Sequence, residues 1–572
     1  MGGLRDRWDS RGAFIMAAIG SAVGLGNLWR FPYVCYRNGG GAFLIPYLVA
    51  LLTAGIPLMI LEYGLGIRKQ GSAPKALASV NRKWEFVGWW ALCIGFMISM
   101  YYVVIMGVTG VYLVESFNTS LPWGTTAASA DHHFRHDVLQ ISSGPFDFGG
   151  MAWGVLIAAL AVWGIIFLII FKGVKQVGKV VMITVPLPWL MILVLMIRGL
   201  TLEGAAEGIN YYLSPNWAAL LQPSTWLAAY GQIFFSLSLG FGIMIAYASY
   251  MARTSDVSNN AFITSFANCA TSFLAGFSVF SVLGYFAVAA NLPVSDVLKS
   301  GPGLAFQAYP AALAKLGEMA SWMAPLFSVV FFVALLTLGI DSAFSIVEAF
   351  ASGIEDKFKW SKIKTAAVLC VVGAAGSAWF ATKAGFHWLD ITDMWISESY
   401  GLVVIGLLEC IMLGWFTKLS SFRDEINSVS EVRVGRWWDI CIKILTPVAL
   451  VLILVLMTID KVRPARVDFS VSCGKCGHTV PLGSWSKDAH ESLKDAQAKA
   501  SESGPKFCPK CAEKGLRCPM SFHCEYTNKY AVDYPSGALI LGGWLWVLAA
   551  PIVGLVLMRM RPKNRNWLEV EG

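Results

Sequence analysis

Asn27, Asn268, Thr337, Asp341 and Ser342 are hard oxygen donors set in long oily stretches. Amide, hydroxyl and carboxylate oxygens are the ligands that a hard cation such as sodium takes. Polar groups at bilayer depth are costly, so each is a functional candidate by default. For a lone Asn or Ser the competing explanation is a hydrogen bond between helices, which is frequent in membranes. For Asp341 the balance reverses, because a buried carboxylate needs a cation or a proton. A second donor set is Cys473, Cys476, Cys508 and Cys511, in the turns CGKC and CPKC. Two C-x-x-C turns can bring four thiolates to one tetrahedral zinc.

The elements that must hold these groups are membrane helices. Of 572 residues, 56% are apolar and only 14% charged, far from the balance of a soluble domain. Runs long enough to span a hydrocarbon core of about 30 Å fall near 11–36, 42–67, 87–115, 149–171, 177–198, 225–250, 260–288, 321–352, 366–382, 397–416, 437–459 and 537–558. The predicted fold class is an all-α membrane protein of twelve transmembrane helices. The first run has no small-residue cleavage site and carries glycines at its middle, which predicts a retained span. Lys and Arg concentrate in alternate short loops, such as Arg68, Lys69, Arg82 and Lys83, then Lys172, Lys175 and Lys179. The bias predicts that both termini are cytoplasmic, in a multi-pass plasma (inner) membrane protein. It also accounts for much of the net charge of +8, which gives no argument for a nucleic-acid partner.

Two spans look broken. The first reads AAIGSAVGLGNLWRFPY, with Gly20, Gly24 and Gly26 ahead of Asn27 and Arg30, and the sixth reads GQIFFSLSLGFGIMIAYASY, with Gly240 and Gly242 beside Ser236 and Ser238. Close helix packing through small residues is the alternative. Against it, both clusters are mixed with polar side chains and lie five spans apart. Spans 1–5 and 6–10 then form two inverted halves, a 5+5 inverted repeat with helices 1 and 6 unwound. Paired interrupted helices of that kind mark a substrate and ion site, since half-helix N-termini attract an anion and freed carbonyls attract cations.

The twelve-span count divides the chain into a core (1–460), an outer Cys-rich insertion (461–534) and a final span with its tail (535–572). Oxidising conditions outside favour disulfides, so zinc and disulfide chemistry stay open for the insertion, with Cys518 and Cys524 as a candidate pair. Residues 486–503 read as a helix inside it. Asn118-Thr119-Ser120 is formally a glycosylation sequon, expected to be unused.

The stretches GSAVGLGNLWRFPYVCYRNGGGAFLIPY (20–47), GQIFFSLSLGFG (231–242), NCATSFLAGFSVFSVLGYFA (268–287) and LLTLGIDSAF (335–344) resemble the sodium:neurotransmitter symporter family. The resemblance covers all spans and leaves out the insertion. It implies a first sodium held by the Ala22 carbonyl, Asn27, Ser236, Asn268 and the substrate carboxylate. A second takes the Gly20, Val23 and Leu338 carbonyls with Asp341 and Ser342. Chloride is implied at Tyr47, Gln232, Ser236 and Ser272, because chloride-independent members carry an acidic group at the Ser272 position. The implied substrate pocket is Ala22, Gly24, Gly26, Ile98, Tyr102, Phe235, Ser236, Ser238, Phe241, Ser342 and Ile346.

Amine-transporting members have an aspartate where this chain has Gly24. The missing carboxylate is therefore expected from the substrate, an amino acid with a neutral, apolar side chain. By the same resemblance Arg30 and Asp393, under Tyr102 and Phe241, gate the outside, and Arg5 and Asp356, with Trp8 and Tyr250, gate the inside. Gly178 and Pro188 match a family motif for unwinding the fifth span beside the second sodium. A receptor that binds an amino acid without sustained transport is a second class. A membrane enzyme is a third, but no His or carboxylate pairing in the spans supports chemistry, and four thiols saturate a zinc.

Overall fold

The computed structural model describes residues 6–291, 294, 301–462, 466–473, 479–486, 496–497, 501–502, 520–527, 533–563 and 567–568. Among them, ten helices are long and apolar enough to cross a bilayer. They are α3 (Gly40–Lys69), α4 (Arg82–Glu115), α5 (Trp153–Ile170), α6 (Val174–Leu200), α9 (Ser258–Ala290), α10 (Met323–Phe358), α11 (Lys362–Phe380), α12 (Gly385–Trp415), α13 (Arg436–Ile459) and α14 (Ser536–Arg559). A further pair, α1 (Arg11–Ala22) and α2 (Leu25–Arg37), is long and apolar enough when taken together and is bent by 52° at the junction, the form of a broken span or a re-entrant loop. Where the sixth span is expected, α7 (Pro223–Ser236) and α8 (Ile243–Ala248) are separated by six non-helical residues, 237–242.

Both breaks have local causes. At the first, Val23 (φ −83°, ψ 100°) and Gly24 (φ −126°, ψ −167°) are extended. The chain restarts because the Asn27 side-chain oxygen accepts a hydrogen bond from Gly24 N at 2.9 Å, capping α2. At the second, Gly240 (φ 77°) and Gly242 (φ 73°) take left-handed conformations that cost glycine little, and Ser238 (φ 53°) joins them. An L-residue there is strained by on the order of 1 kcal/mol. The Ser238 hydroxyl donates to Ser21 O at 3.0 Å, which ties one break to the other.

Several span limits differ from the hydropathy reading. The helix expected from 149 starts at Trp153, since Gly149 and Gly150 both have positive φ. The tenth span begins at Gly385 and not near 397; its first turns carry His387, Asp390 and Asp393, which an apolar window rejects. Helices on the outside turn oily faces outward, as Ile157, Leu160 and Leu168 of α5 do. The polar groups gather on the inside instead.

Near the end of α10, the Lys357 side chain is only 1% exposed and meets Glu85 Oε1 at 2.5 Å. It also donates to Leu557 O (2.6 Å) and Met558 O (2.8 Å) in the last turn of α14, so its three N–H groups have three acceptors. A cation at a helix C-terminus suits the exposed carbonyls there.

At the C-terminal end of α4, His133 sits between Glu115 (Nε2 to Oε2, 2.9 Å) and Asp137 (Nδ1 to Oδ2, 3.1 Å). Its ring packs edge-on against Tyr112, whose hydroxyl donates to Phe306 O at 2.9 Å, and near Trp123, whose Nε1 donates to Pro310 O at 3.0 Å. Burial lowers the His133 pKa, but the two carboxylates outweigh it and the net shift is upward from 6.5. The charged form therefore contributes stability that is fully present below the unfolded value and fades as pH rises through the folded one. Hydrogen exchange in 127–139, corrected for intrinsic rates, is expected to be faster at about pH 9 than at about pH 6. The same protection at both pH values would contradict this.

The chain divides into two units, residues 1–453 with 546–572, and residues 454–545. The second contains a three-stranded antiparallel sheet ordered β2-β1-β3: β1 (Arg466–Cys473), β2 (Thr479–Ser486) and β3 (Met520–Thr527). Val467, Phe469 and Val471 are buried on one face of β1, with alternate residues on the other. Cys473 ends β1 and Cys524 lies in β3, paired in register with Phe469. Cys476, Cys508, Cys511 and Cys518 lie outside the described residues, as does most of the helix expected over 486–503.

Candidate ion and substrate site

Between the two breaks lies a cavity lined by Ser21, Ala22, Gly24, Leu25, Gly26, Asn27, Ile98, Tyr102, Gln232, Phe235, Ser236, Ser238, Phe241, Ile243, Ser342 and Ile346. All eleven residues expected to contact substrate are in that lining. Ser21, Leu25 and Ile243 were not anticipated. Ser21 O accepts from the hydroxyls of both Ser238 (3.0 Å) and Ser342 (3.3 Å), so it joins the three elements that meet here. Its position in GSAVG, between two glycines of a broken helix, was the available signal.

Asn27, Ser236, Asn268 and Ser272 form one buried network. Asn27 Nδ2 donates to Ser272 Oγ at 2.7 Å and Asn268 Oδ1 at 2.8 Å, with Ser236 Oγ and Asn268 O each at 3.4 Å. Asn268 Nδ2 donates to Ser236 Oγ at 2.6 Å. Four oxygens thus converge on one electropositive point, a donor set that also suits a small hard cation. Next to it, Tyr47 Oη and both polar atoms of Gln232 are buried without a hydrogen-bond partner among the described residues. Buried O–H and N–H donors left unmatched in this way are groups that a small anion could satisfy.

Across the cavity, Asp341 is 2% exposed and has no cationic side chain paired with it among the described residues. Its Oδ2 faces Gly20, where an added Cβ would lie 3.1 Å away, and its Oδ1 accepts from Thr184 Oγ1 at 2.7 Å. Leu338 O accepts from Ser342 Oγ at 3.5 Å, and Val23 is buried at the break. Gly20 therefore neighbours Asp341, and Leu338 neighbours Ser342. Thr184 was missed; a hydroxyl two residues before Pro186 in an oily span was the sign.

Glu62 was missed too, although a carboxylate inside IPLMILEYGLGIRK was plain to see. Its Oε1 accepts from Gly240 N at 2.9 Å and so satisfies a donor freed by the second break.

Of the residues expected to gate the outside, the Arg30 guanidinium lies 4.8 Å from the Phe235 ring centroid, and Asp393 Oδ1 accepts from Tyr101 Oη at 2.6 Å. Of those expected to gate the inside, Trp8 donates from Nε1 to Tyr247 O (2.9 Å) and from its backbone N to Tyr250 O (3.3 Å). Asp356 Oδ2 accepts from Ser72 N at 2.8 Å. Arg5 lies outside the described residues.

The model of the sodium:neurotransmitter symporter family matches residues 5–132 and 124–471. The chain belongs to that family. Its members are transporters and not enzymes, and the family implies sodium ions, a small-molecule substrate and a place in the membrane. The chain is 44% identical over 447 residues to an uncharacterized sodium-dependent transporter of Methanocaldococcus jannaschii, covering 78% of this chain and 89% of that one. It is 34% identical over 484 residues to the sodium- and chloride-dependent creatine transporter 1 of Mus musculus, covering 77% and 75%. A creatine transporter of Torpedo marmorata is 35% identical over 479 residues, covering 78% and 77%.

Proposed function

We propose that the chain is a sodium-coupled, chloride-dependent symporter of a neutral, apolar amino acid, built from twelve spans in two inverted halves with both termini cytoplasmic. One observation carries the substrate class: the cavity has no acidic side chain in its lining, and Gly24 stands beside the Asn27 network. A first sodium held by Ala22 O, Asn27, Ser236 and Asn268 then lacks an anionic ligand, and a bound α-carboxylate supplies one. Tyr102 Oη, which accepts from Leu25 N at 3.4 Å, is placed to turn its proton to that carboxylate. The remaining wall, Ile98, Phe235, Phe241 and Ile346, offers no partner for a charged side chain. That favours an apolar amino acid over a guanidino acid of the kind carried by the creatine transporters.

Coupling follows from shared ligands. The substrate carboxylate completes the first shell, so each ligand raises the affinity for the other by the same factor. The second sodium, at Gly20, Val23, Leu338, Asp341 and Ser342, neutralises Asp341 and holds α1 against α10. Chloride at Tyr47, Gln232, Ser236 and Ser272 offsets the first sodium from the far side.

Purified protein in proteoliposomes, screened against the neutral amino acids, is expected to accumulate substrate only under an inward sodium gradient. Saturable binding with no accumulation would overturn transport in favour of a receptor. Replacing chloride with gluconate is expected to lower uptake several-fold, and undiminished uptake would remove chloride from the cycle.

A further inference from the structure

The fifth span is interrupted where it passes the second cation shell. Its helix runs Val174–Thr184, Val185 stands alone, and the helix resumes at Pro186. Pro186 and Pro188 have no N–H to give to the carbonyls four residues earlier, those of Met182 and Thr184. This stretch touches the shell at two points. Val185 packs on Gly20 so closely that a Cβ there would fall 2.6 Å from Val185 Cγ2, and Thr184 Oγ1 donates to Asp341 Oδ1 at 2.7 Å. A second acceptor for the same hydroxyl, Val180 O, is more distant at 3.2 Å.

A carboxylate on a flexible side chain can present either oxygen to a cation. In Asp341 one oxygen is taken by Thr184 and the other faces Gly20. We propose that Thr184 is a positioning residue for the second sodium: its hydroxyl fixes the Asp341 carboxylate so that Oδ2 is aimed at the first-span carbonyls. The inference rests on the assignment of that shell to sodium. The hydroxyl does not touch the ion. It acts by removing the rotational freedom that Asp341 would otherwise lose on binding, and by polarising the carboxylate through a charge-assisted bond. Because the fifth span lacks two of its own backbone hydrogen bonds here, the donor belongs to a segment that can bend at little cost. Sodium affinity at this shell is thereby tied to the shape of a helix that contributes no ligand to it.

The test is sodium-dependent protection against thermal unfolding, measured without substrate, together with the sodium dependence of uptake, for Thr184→Val, Thr184→Ser and Asp341→Asn. Val replaces the hydroxyl with a methyl of similar size, so the sodium-free melting temperature reports whether the variant folds. The expected result is that Thr184→Val needs about tenfold more sodium for half-maximal protection and uptake, the scale of one hydrogen bond to a charged group. Thr184→Ser should stay close to the native value, and the substrate KM at saturating sodium should be unchanged in both. If Val and Ser are equally impaired, or Val is native-like while Asp341→Asn is impaired, the positioning role is overturned and the shell stands. If Asp341→Asn itself leaves sodium dependence intact, the assignment of the shell to sodium fails, and the role of Thr184 with it.

Discussion

Asn27→Ala is expected to abolish sodium-driven uptake at ordinary sodium concentrations while the protein still reaches the membrane. The side chain has two duties. Its oxygen caps α2 by accepting from Gly24 N, and its amide hydrogens bind Ser272 Oγ and Asn268 Oδ1. Truncation removes a candidate sodium ligand and leaves those buried groups short of partners, at about 1–3 kcal/mol for each group left unsatisfied. A combined loss of about 3 kcal/mol in sodium binding corresponds to a more than 100-fold rise in the sodium needed. Sodium titrations of uptake and of thermal protection check this, and near-native half-saturation in both would remove Asn27 from the ion site.

A second large effect is expected from Gly24→Asp. The backbone allows it, because φ −126° and ψ −167° are extended values open to any residue. Space and charge do not. A Cβ at Gly24 would lie 2.8 Å from Ser342 Oγ and 3.3 Å from Tyr102 Oη, two groups in the cavity lining. A carboxylate there would occupy the place assigned to the carboxylate of the substrate and repel it, and like charges brought together cost several kcal/mol, so uptake of the amino acid should fall by on the order of 100-fold or more. The same group would complete the first sodium shell, so protection by sodium alone should persist or strengthen. Loss of both uptake and sodium protection would instead mean that the site had collapsed, and retained uptake would show that the substrate carboxylate binds elsewhere.

How much of this was legible in the sequence depended on the kind of signal. Breaks at Gly24 and at Gly240–Gly242 could be read because glycine in an oily helix beside polar residues conflicts with helix propensity. The eleven cavity-lining residues came from family motifs; composition alone does not separate Phe235 or Ile346 from ordinary core. Asp341 was legible as a buried carboxylate, but Thr184 was not seen as its partner, since the two are 157 positions apart and only the packing of α6 against α10 joins them. Glu62 was not legible as a partner of the second break, because its acceptor role depends on Gly240 N, 178 positions away and on another span. The start of α12 was misplaced because a hydropathy window penalises the polar residues that line an interior.

Lys357 has a bearing on the order in which the chain is made. Its partner Glu85 belongs to α4, made early, whereas the carbonyls of Leu557 and Met558 come from α14, more than 400 positions later in the chain. Until α14 is in place, the ammonium near the end of α10 has one carboxylate and two unmet donors. α14 thus supplies the two remaining acceptors, and the Trp567 ring lies 5.5 Å from the Lys357 ammonium. A chain cut before Leu557 would leave two donors of that buried ammonium without acceptors, beside a carboxylate that is itself buried.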